Sequence, residues 1–210
     1  MKNTLLLAIT LLMAAAISDA ADNGRTWDFD HDKAGMIGGG FYSAAGRWTV
    51  QANATAPSKP NVLAQLAKNS RDTFNLALVV GSSCRNLDIS VKMRAIGGTE
   101  EQGGGIVWRA KNSRNYYAVR YNPLDGTLRL HKVVNNAQVD LANVTIMNTP
   151  GWHTLRVVMS NDQIICYFDG TKYLDRRDAT YHEAGQIGLW TKADAQTYFD
   201  DLTFMVKQLQ

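Results

Sequence analysis

The chain has 210 residues, 45% of them hydrophobic, with 22 Lys and Arg against 19 Asp and Glu for a formal net charge of +3. That length suits one domain that buries a core without staples. A balance so mild, with Arg176-Arg177 as the densest basic cluster, argues against nucleic acid as a partner. At the N-terminus Lys2 precedes an apolar run from Leu5 to Ile17, and Ser18-Asp19-Ala20 offers small residues at the cleavage positions. Residues 1–20 therefore read as a cleavable signal peptide. The run is shorter than the ~20 apolar residues of a spanning helix, so no membrane partner is expected after cleavage. An uncleaved anchor is the competing reading. Residues 21–210 are expected to form a single exported domain, periplasmic or extracellular.

Trp27 to Phe29 and Arg47 to Gln51 read as short strands separated by the turn region Met36-Ile37-Gly38-Gly39-Gly40. After the loop Ala56-Pro57-Ser58-Lys59-Pro60, Val62 to Leu66 and Phe74 to Val80 flank a polar connection of hairpin length. Val62 to Lys68 alone has a helical composition, and it is too short to persist as a helix. Leu87, Ile89, Val91 and Met93 alternate with Asp88, Ser90, Lys92 and Arg94, one face packed and one wet. Further strands are expected at Gly105 to Ala110, Tyr116 to Asn122, Thr127 to Val133, Gln138 to Asn143 and Trp152 to Ser160. The series closes with Gln163 to Asp169, Thr171 to Asp175, Gln186 to Lys192 and Thr197 to Val206. Turn signals at Asp125-Gly126, Asn135-Asn136, Asn161-Asp162 and Asp169-Gly170 separate them. About a dozen strands in one domain call for two packed sheets, an all-β sandwich or jelly roll.

The phrases GGGIVWRAKNSRNYYAVRYN, GWHTLRV, DQIICYFDGTKYLD and GQIGLWTKADAQTYFDDL follow in an order that resembles a bacterial family. They are similar to the 3-keto-disaccharide hydrolase type domain, a former domain of unknown function, within the concanavalin A-like lectin and glucanase jelly-roll group. The likeness runs from Trp27 to Val206 and implies a two-sheet sandwich whose concave sheet faces a glycan. Hydrolysis does not follow from it. Laminarinase-type glucanases of this group carry a nucleophile and an acid/base on one strand, and here no strand carries such a glutamate pair. Glu100 and Glu101 sit side by side in a loop and read as solvated charges. Asp200 and Asp201 share a strand, and backbone bonding suits them better than acid/base work.

Flat rings and fixed polar groups hold sugars, and the pool here is Trp108, Arg109, Tyr117, Arg120, Lys132, Trp190 and Lys192, with Asp201 added as a ligand-side carboxylate. Strand parity places Trp108 with Ile106, Arg109 with Val107, Arg120 with Tyr116 and Ala118, and Tyr117 with Val119 and Tyr121. If the strands around Lys111 to Asn115 form a hairpin, Arg109 and Arg120 converge on one face and suit an acidic or oxidised sugar. The opposing reading makes Trp108 and Trp190 core rings and lets the arginine stems cover the sheet. Trp27, Trp48 and Trp152 read as packing residues. His31, His131, His153 and His182 lack partner spacing for a nucleophilic triad, and only His131 falls on a candidate ligand strand.

Cys84 and Cys166 read as two buried free thiols, a disulfide requiring Cα atoms within about 7 Å. No metal and no cofactor is expected, and no catalytic residue is assigned. Three functions stand open: an exported domain binding a carbohydrate or sugar-derived small molecule, a hydrolase or lyase acting on 3-keto-glycosides through a base and cations, and a non-catalytic structural envelope domain.

Overall fold

The computed structural model describes residues 24–147 and 149–207, so the leader segment lies outside the described residues. Among them are fifteen β-strands and no helix, hence none long and apolar enough to cross a membrane. One antiparallel sheet holds eight strands: β1 (Arg25–Trp27), β3 (Trp48–Ala52), β4 (Asn61–Gln65), β6 (Leu87–Gly97), β11 (His153–Ser160), β12 (Gln163–Phe168), β13 (Thr171–Arg177) and β15 (Gln196–Val206). Its order is β13-β12-β11-β6-β15-β4-β3, with β1 also paired to β15. The second sheet holds seven: β2 (Phe41–Ala45), β5 (Phe74–Val79), β7 (Gly104–Asn112), β8 (Asn115–Asn122), β9 (Thr127–Val134), β10 (Ala137–Thr145) and β14 (Gln186–Lys192), ordered β10-β9-β8-β7-β14-β5-β2. The result is a jelly-roll sandwich.

Two-residue periodicity sorts each strand into an inner and an outer row. Leu87, Ile89, Val91 and Met93 of β6 meet Ile106, Trp108, Tyr117, Val119, Leu128 and Leu130 of the facing sheet in one core. Each such side chain contributes roughly 1.5–3 kcal/mol by leaving water. Val62 to Gln65, part of the segment of helical composition, lies in β4, buried between β3 and β15. Pairing on both edges decides the matter, because so short a segment cannot nucleate a helix. Cys166 packs in the same inner row as Ile164 and Phe168, as expected, and both cysteines are free and buried. Burial pushes the Cys84 thiol up to about 12, so it stays protonated and unreactive at neutral pH.

The seven-stranded sheet is apolar on its outer face too. Leu76, Leu78, Val107, Ala110, Tyr116, Ala118, Val133 and Trp190 form a second cluster there, with Ala44, Ala45 and Phe74 packed against it. Antiparallel sheets commonly wet one side. These side chains are buried, so the row forms a second core on that side of the sheet.

Candidate functional site

The structure disperses the residues that the sequence groups together. Trp108 and Tyr117 stack in the inter-sheet core with ring centroids 5.7 Å apart, which removes both from any ligand. Arg109 also leaves the expected face. The β7–β8 register slips between Trp108 and Asn112, and Arg109 takes a left-handed φ of 46° that breaks the alternation. Its guanidinium, 0% exposed, donates to the carbonyls of Arg85, Tyr181 and Asn161 at 2.8, 2.5 and 2.6 Å. Arg109 and Arg120 therefore do not converge, and Arg109 ties loops together at one end of the sandwich.

Lys132 lies in that same end region, donating to Asp178 at 2.7 Å and to Thr180 at 2.6 Å. The Tyr117 hydroxyl also donates to Asp178 at 2.5 Å. Burial would raise the Asp178 carboxyl, but the bonds from Lys132, Tyr117 and Thr180 outweigh it and hold it at about 2. Asp201 is on the opposite sheet, accepting from Lys92 at 2.8 Å. Beside it Asp200 accepts from the Ser58 amide and hydroxyl at 2.9 Å each, the backbone-bonding role expected of this pair. Trp152 departs from its packing assignment. It is only partly buried, and its indole N–H points to the Thr55 hydroxyl at 3.4 Å, outside the core.

Arg120, Trp190 and Lys192 do share one place, the outer face of the seven-stranded sheet. Arg120 projects from β8 beside the outer cluster and is 4% exposed. Neither its Nε nor its Nη1 donates to any group, and Nη2 reaches Glu101 Oε2 only at 3.8 Å and Asp125 Oδ2 at 3.9 Å, beyond hydrogen-bond length. Burial lowers the Arg120 pKa from its usual value, while Glu101 partly offsets this. A buried guanidinium without acceptors costs about 1–3 kcal/mol or more, and native structures keep such groups for a reason.

Glu101 joins this face although its sequence position reads as a solvated loop. Gly98, at φ 126°, lets the loop fold so tightly that a Cβ there would lie 1.9 Å from the Glu101 carbonyl oxygen. Asp194 then accepts from the amides of Thr99, Glu100 and Glu101 at 2.6, 3.1 and 3.0 Å. So anchored, the Glu101 carboxylate turns to the sheet and accepts from Asn122 at 2.8 Å and from Lys192 at 3.2 Å.

The floor beside Arg120 is aromatic. Trp190, 1% exposed, stands opposite Gly105 of β7, where a Cβ would fall 1.8 Å from the Val119 carbonyl oxygen. No side chain can stand there, and the indole reaches across the strands to donate to the Tyr116 hydroxyl at 3.1 Å. His131 of β9 meets Trp190 edge to face at 5.1 Å. Both imidazole nitrogens are buried without a hydrogen-bond partner; the nearby Arg129 backbone slightly favours the charged ring. Burial, reinforced by Arg120, Arg129 and Lys192, lowers the His131 pKa to about 3 and keeps the ring neutral. At the rim Arg129 donates to Asp140 at 2.9 Å.

Solved structures share this architecture. The carbohydrate-binding module CBM66 from Bacillus subtilis matches with a TM-score of 0.67 and 18% identity, over 82% of this chain and 98% of that one. A Bacillus subtilis protein of unknown function with a galectin-like fold matches at 0.57 and 11% identity, over 80% and 90%. The GH43 protein BlXynB from Bacillus licheniformis matches at 0.58 and 15% identity, over 90% of this chain but 40% of its own length. At such identities the likeness is one of fold. No family model matches the chain, and no curated protein matches it by sequence.

Sequence reasoning missed Glu101 and left His131, Arg129 and Asn122 out of the site. For the last three a signal was present: Arg129 and His131 alternate with Leu128 and Leu130, and Asn122 shares parity with Arg120. Glu101 gave none, because its orientation depends on Asp194, 93 positions away in sequence. Among the described residues no cluster of His, Cys, Asp and Glu could hold a metal ion.

Proposed function

We propose that this chain is an exported domain that binds a carbohydrate on the outer face of its seven-stranded sheet. One observation carries the reading: the buried Arg120 guanidinium, short of acceptors, beside the Trp190 and Tyr116 rings and the Glu101 carboxylate. A sugar offers what this arrangement lacks. Its hydroxyl oxygens accept from the Arg120 guanidinium and its O–H groups donate to Glu101, above a floor formed by the buried Trp190, Tyr116 and His131. The jelly-roll relatives, a carbohydrate-binding module among them, support the class of ligand. The apolar leader of residues 1–20 supports export. Screening the mature chain on a glycan array, followed by calorimetry, is expected to reveal at least one binder, lost in Arg120→Gln. Absence of binding to every glycan overturns the reading.

A second reading, cleavage of 3-keto-glycosides as the sequence resemblance implies, has one observation in its favour. His131 is neutral on the same face, with an unengaged lone pair as a base requires. A conjugate acid near 3 is nonetheless a weak base at neutral pH, since efficient general bases titrate near the working pH. Incubation with a 3-keto-glucoside at high protein concentration is expected to leave it intact; product formation that His131→Phe abolishes would reverse this order.

A further inference from the structure

One imidazole ties the connection from β10 to β11 back onto the sandwich. His153, the first residue of β11 and 8% exposed, places its Nδ1 2.8 Å from Asp169 Oδ2 and its Nε2 2.7 Å from the Thr149 carbonyl oxygen. Neither partner has a hydrogen to offer, one being a carbonyl and the other a carboxylate whose side chain is 47% exposed. Asp169 is itself fixed, since its Oδ1 accepts from the Thr154 amide at 2.8 Å and its own amide donates to the Thr154 carbonyl at 2.9 Å. Two acceptors on one ring are satisfied together by an imidazolium, which donates from both nitrogens.

Packing keeps the ring from turning away. It stacks on Phe168 at 4.8 Å and meets Tyr121 edge to face at 5.7 Å. The titratable groups that face it are Asp169 from the β12–β13 turn and Tyr121 from β8, with Asp125 beyond that tyrosine. From β6 it meets Met93, its register partner, while Lys92 and Arg94 alternate to the other face. When the ring gives up one proton, the other stays toward the carboxylate, the stronger acceptor. Nε2 then turns a lone pair on the Thr149 oxygen, and an attraction becomes a repulsion.

Thr149, Pro150 and Gly151 form one wall of a cavity of about 180 Å³ at the end of the core, where Met93 of one sheet meets Tyr121 of the other and His153 stands beside them. We propose that His153 is a proton-operated latch on this cavity. Doubly protonated, it holds residues 149–151 against the sandwich; singly protonated, it releases the Thr149 carbonyl and lets that wall move outward.

The mature chain, labelled with carbon-13 and nitrogen-15, is followed by NMR across about pH 5 to 8.5, the range in which imidazoles change charge. Ring nitrogen shifts count the protons on His153, and the Thr149 carbonyl carbon and Gly151 amide report the wall. The expected result is a ring with two protons at the acid end that loses one as the pH rises. In the same transition the Thr149 carbonyl signal shifts, and the Gly151 order parameter falls from about 0.85 to below about 0.6. His153→Phe keeps a ring between Phe168 and Tyr121 and is expected to leave Gly151 mobile at every pH. Asp169→Asn is expected to release the wall at a lower pH than the native chain does, and His182→Phe, at an exposed histidine, to change nothing. Thermal melts establish that each variant is folded.

A His153 ring with a single proton throughout overturns the latch, and so does a wall whose signals stay constant while the ring titrates. Both outcomes are read on the native chain and decide the matter even if a variant fails to fold. A transition at Thr149 and Gly151 that persists in folded His153→Phe overturns it equally.

Discussion

The two outer faces of this sandwich carry the same residue types and use them in opposite ways. On the eight-stranded sheet Arg156 donates twice to Asp88, at 2.7 and 2.5 Å, lies over the Tyr167 ring at 5.1 Å and is 44% exposed at its side chain. Lys92 likewise meets Asp201. On the seven-stranded sheet Arg120 is buried, has no hydrogen-bonded acceptor and adjoins a Trp that is itself buried. The first face is an ordinary solvated surface whose charges are matched. The second holds desolvated donors without acceptors, an arrangement that costs stability and that the proposed ligand would offset.

The largest contrast to test is between the two tryptophans beside these faces. Trp190→Ala is expected to cost about 3–5 kcal/mol in urea melts, as for a buried aromatic ring, and Trp152→Ala less than about 1 kcal/mol. Equal costs would erase the distinction. Next come the arginines. Arg109→Lys leaves carbonyls of the loop cage without donors and is expected to cost about 2 kcal/mol without altering glycan affinity. Arg120→Leu is expected to abolish binding while changing stability by less than about 1 kcal/mol, because Arg120 makes no hydrogen bond and its neighbours Glu101 and Asp125 keep their other donors. A strongly destabilised Arg120→Leu would show that the group is structural.

A smaller effect concerns pH. His131 is neutral in the folded state down to about 3, whereas the unfolded chain protonates near 6.5. Between those values the unfolded state binds the extra proton, so stability falls as pH falls through this window, by roughly 1 kcal/mol per unit. Asp200 acts in the opposite sense. Burial raises it to about 6, so its contribution is present below the unfolded carboxylate range and is lost as pH rises through 6. Comparing chain and His131→Phe in urea melts from pH 4 to 7 isolates the first effect; parallel pH profiles would contradict it. Smallest is Glu101→Gln, expected to weaken glycan binding several-fold by loosening Lys192 and Asn122, with little change in melting temperature.

Most of the fold was legible because alternation is a local property. The rows of β6 and β8 follow directly from residue order, and the rows named the partners of Arg120 and Trp108 correctly. What alternation cannot convey is where it stops. A single left-handed residue at Arg109 diverts that side chain from the sheet face to the loops, and nothing in WRAKN announces it. Parity also sorts Trp108 from its neighbours without saying which row faces the other sheet. The outer position of Trp190 depends on the bare strand at Gly105, and the inward turn of Glu101 depends on Asp194. Contacts between residues so distant in sequence leave no periodic trace.

The most direct test is a crystal structure of the mature chain with the glycan that binds it best. The account predicts a sugar on the outer face of the seven-stranded sheet, with oxygen atoms within hydrogen-bond distance of the Arg120 guanidinium and the Glu101 carboxylate. A sugar seated instead on the eight-stranded sheet near Arg156, or at the loop end around Asp178, with Arg120 untouched, would contradict it.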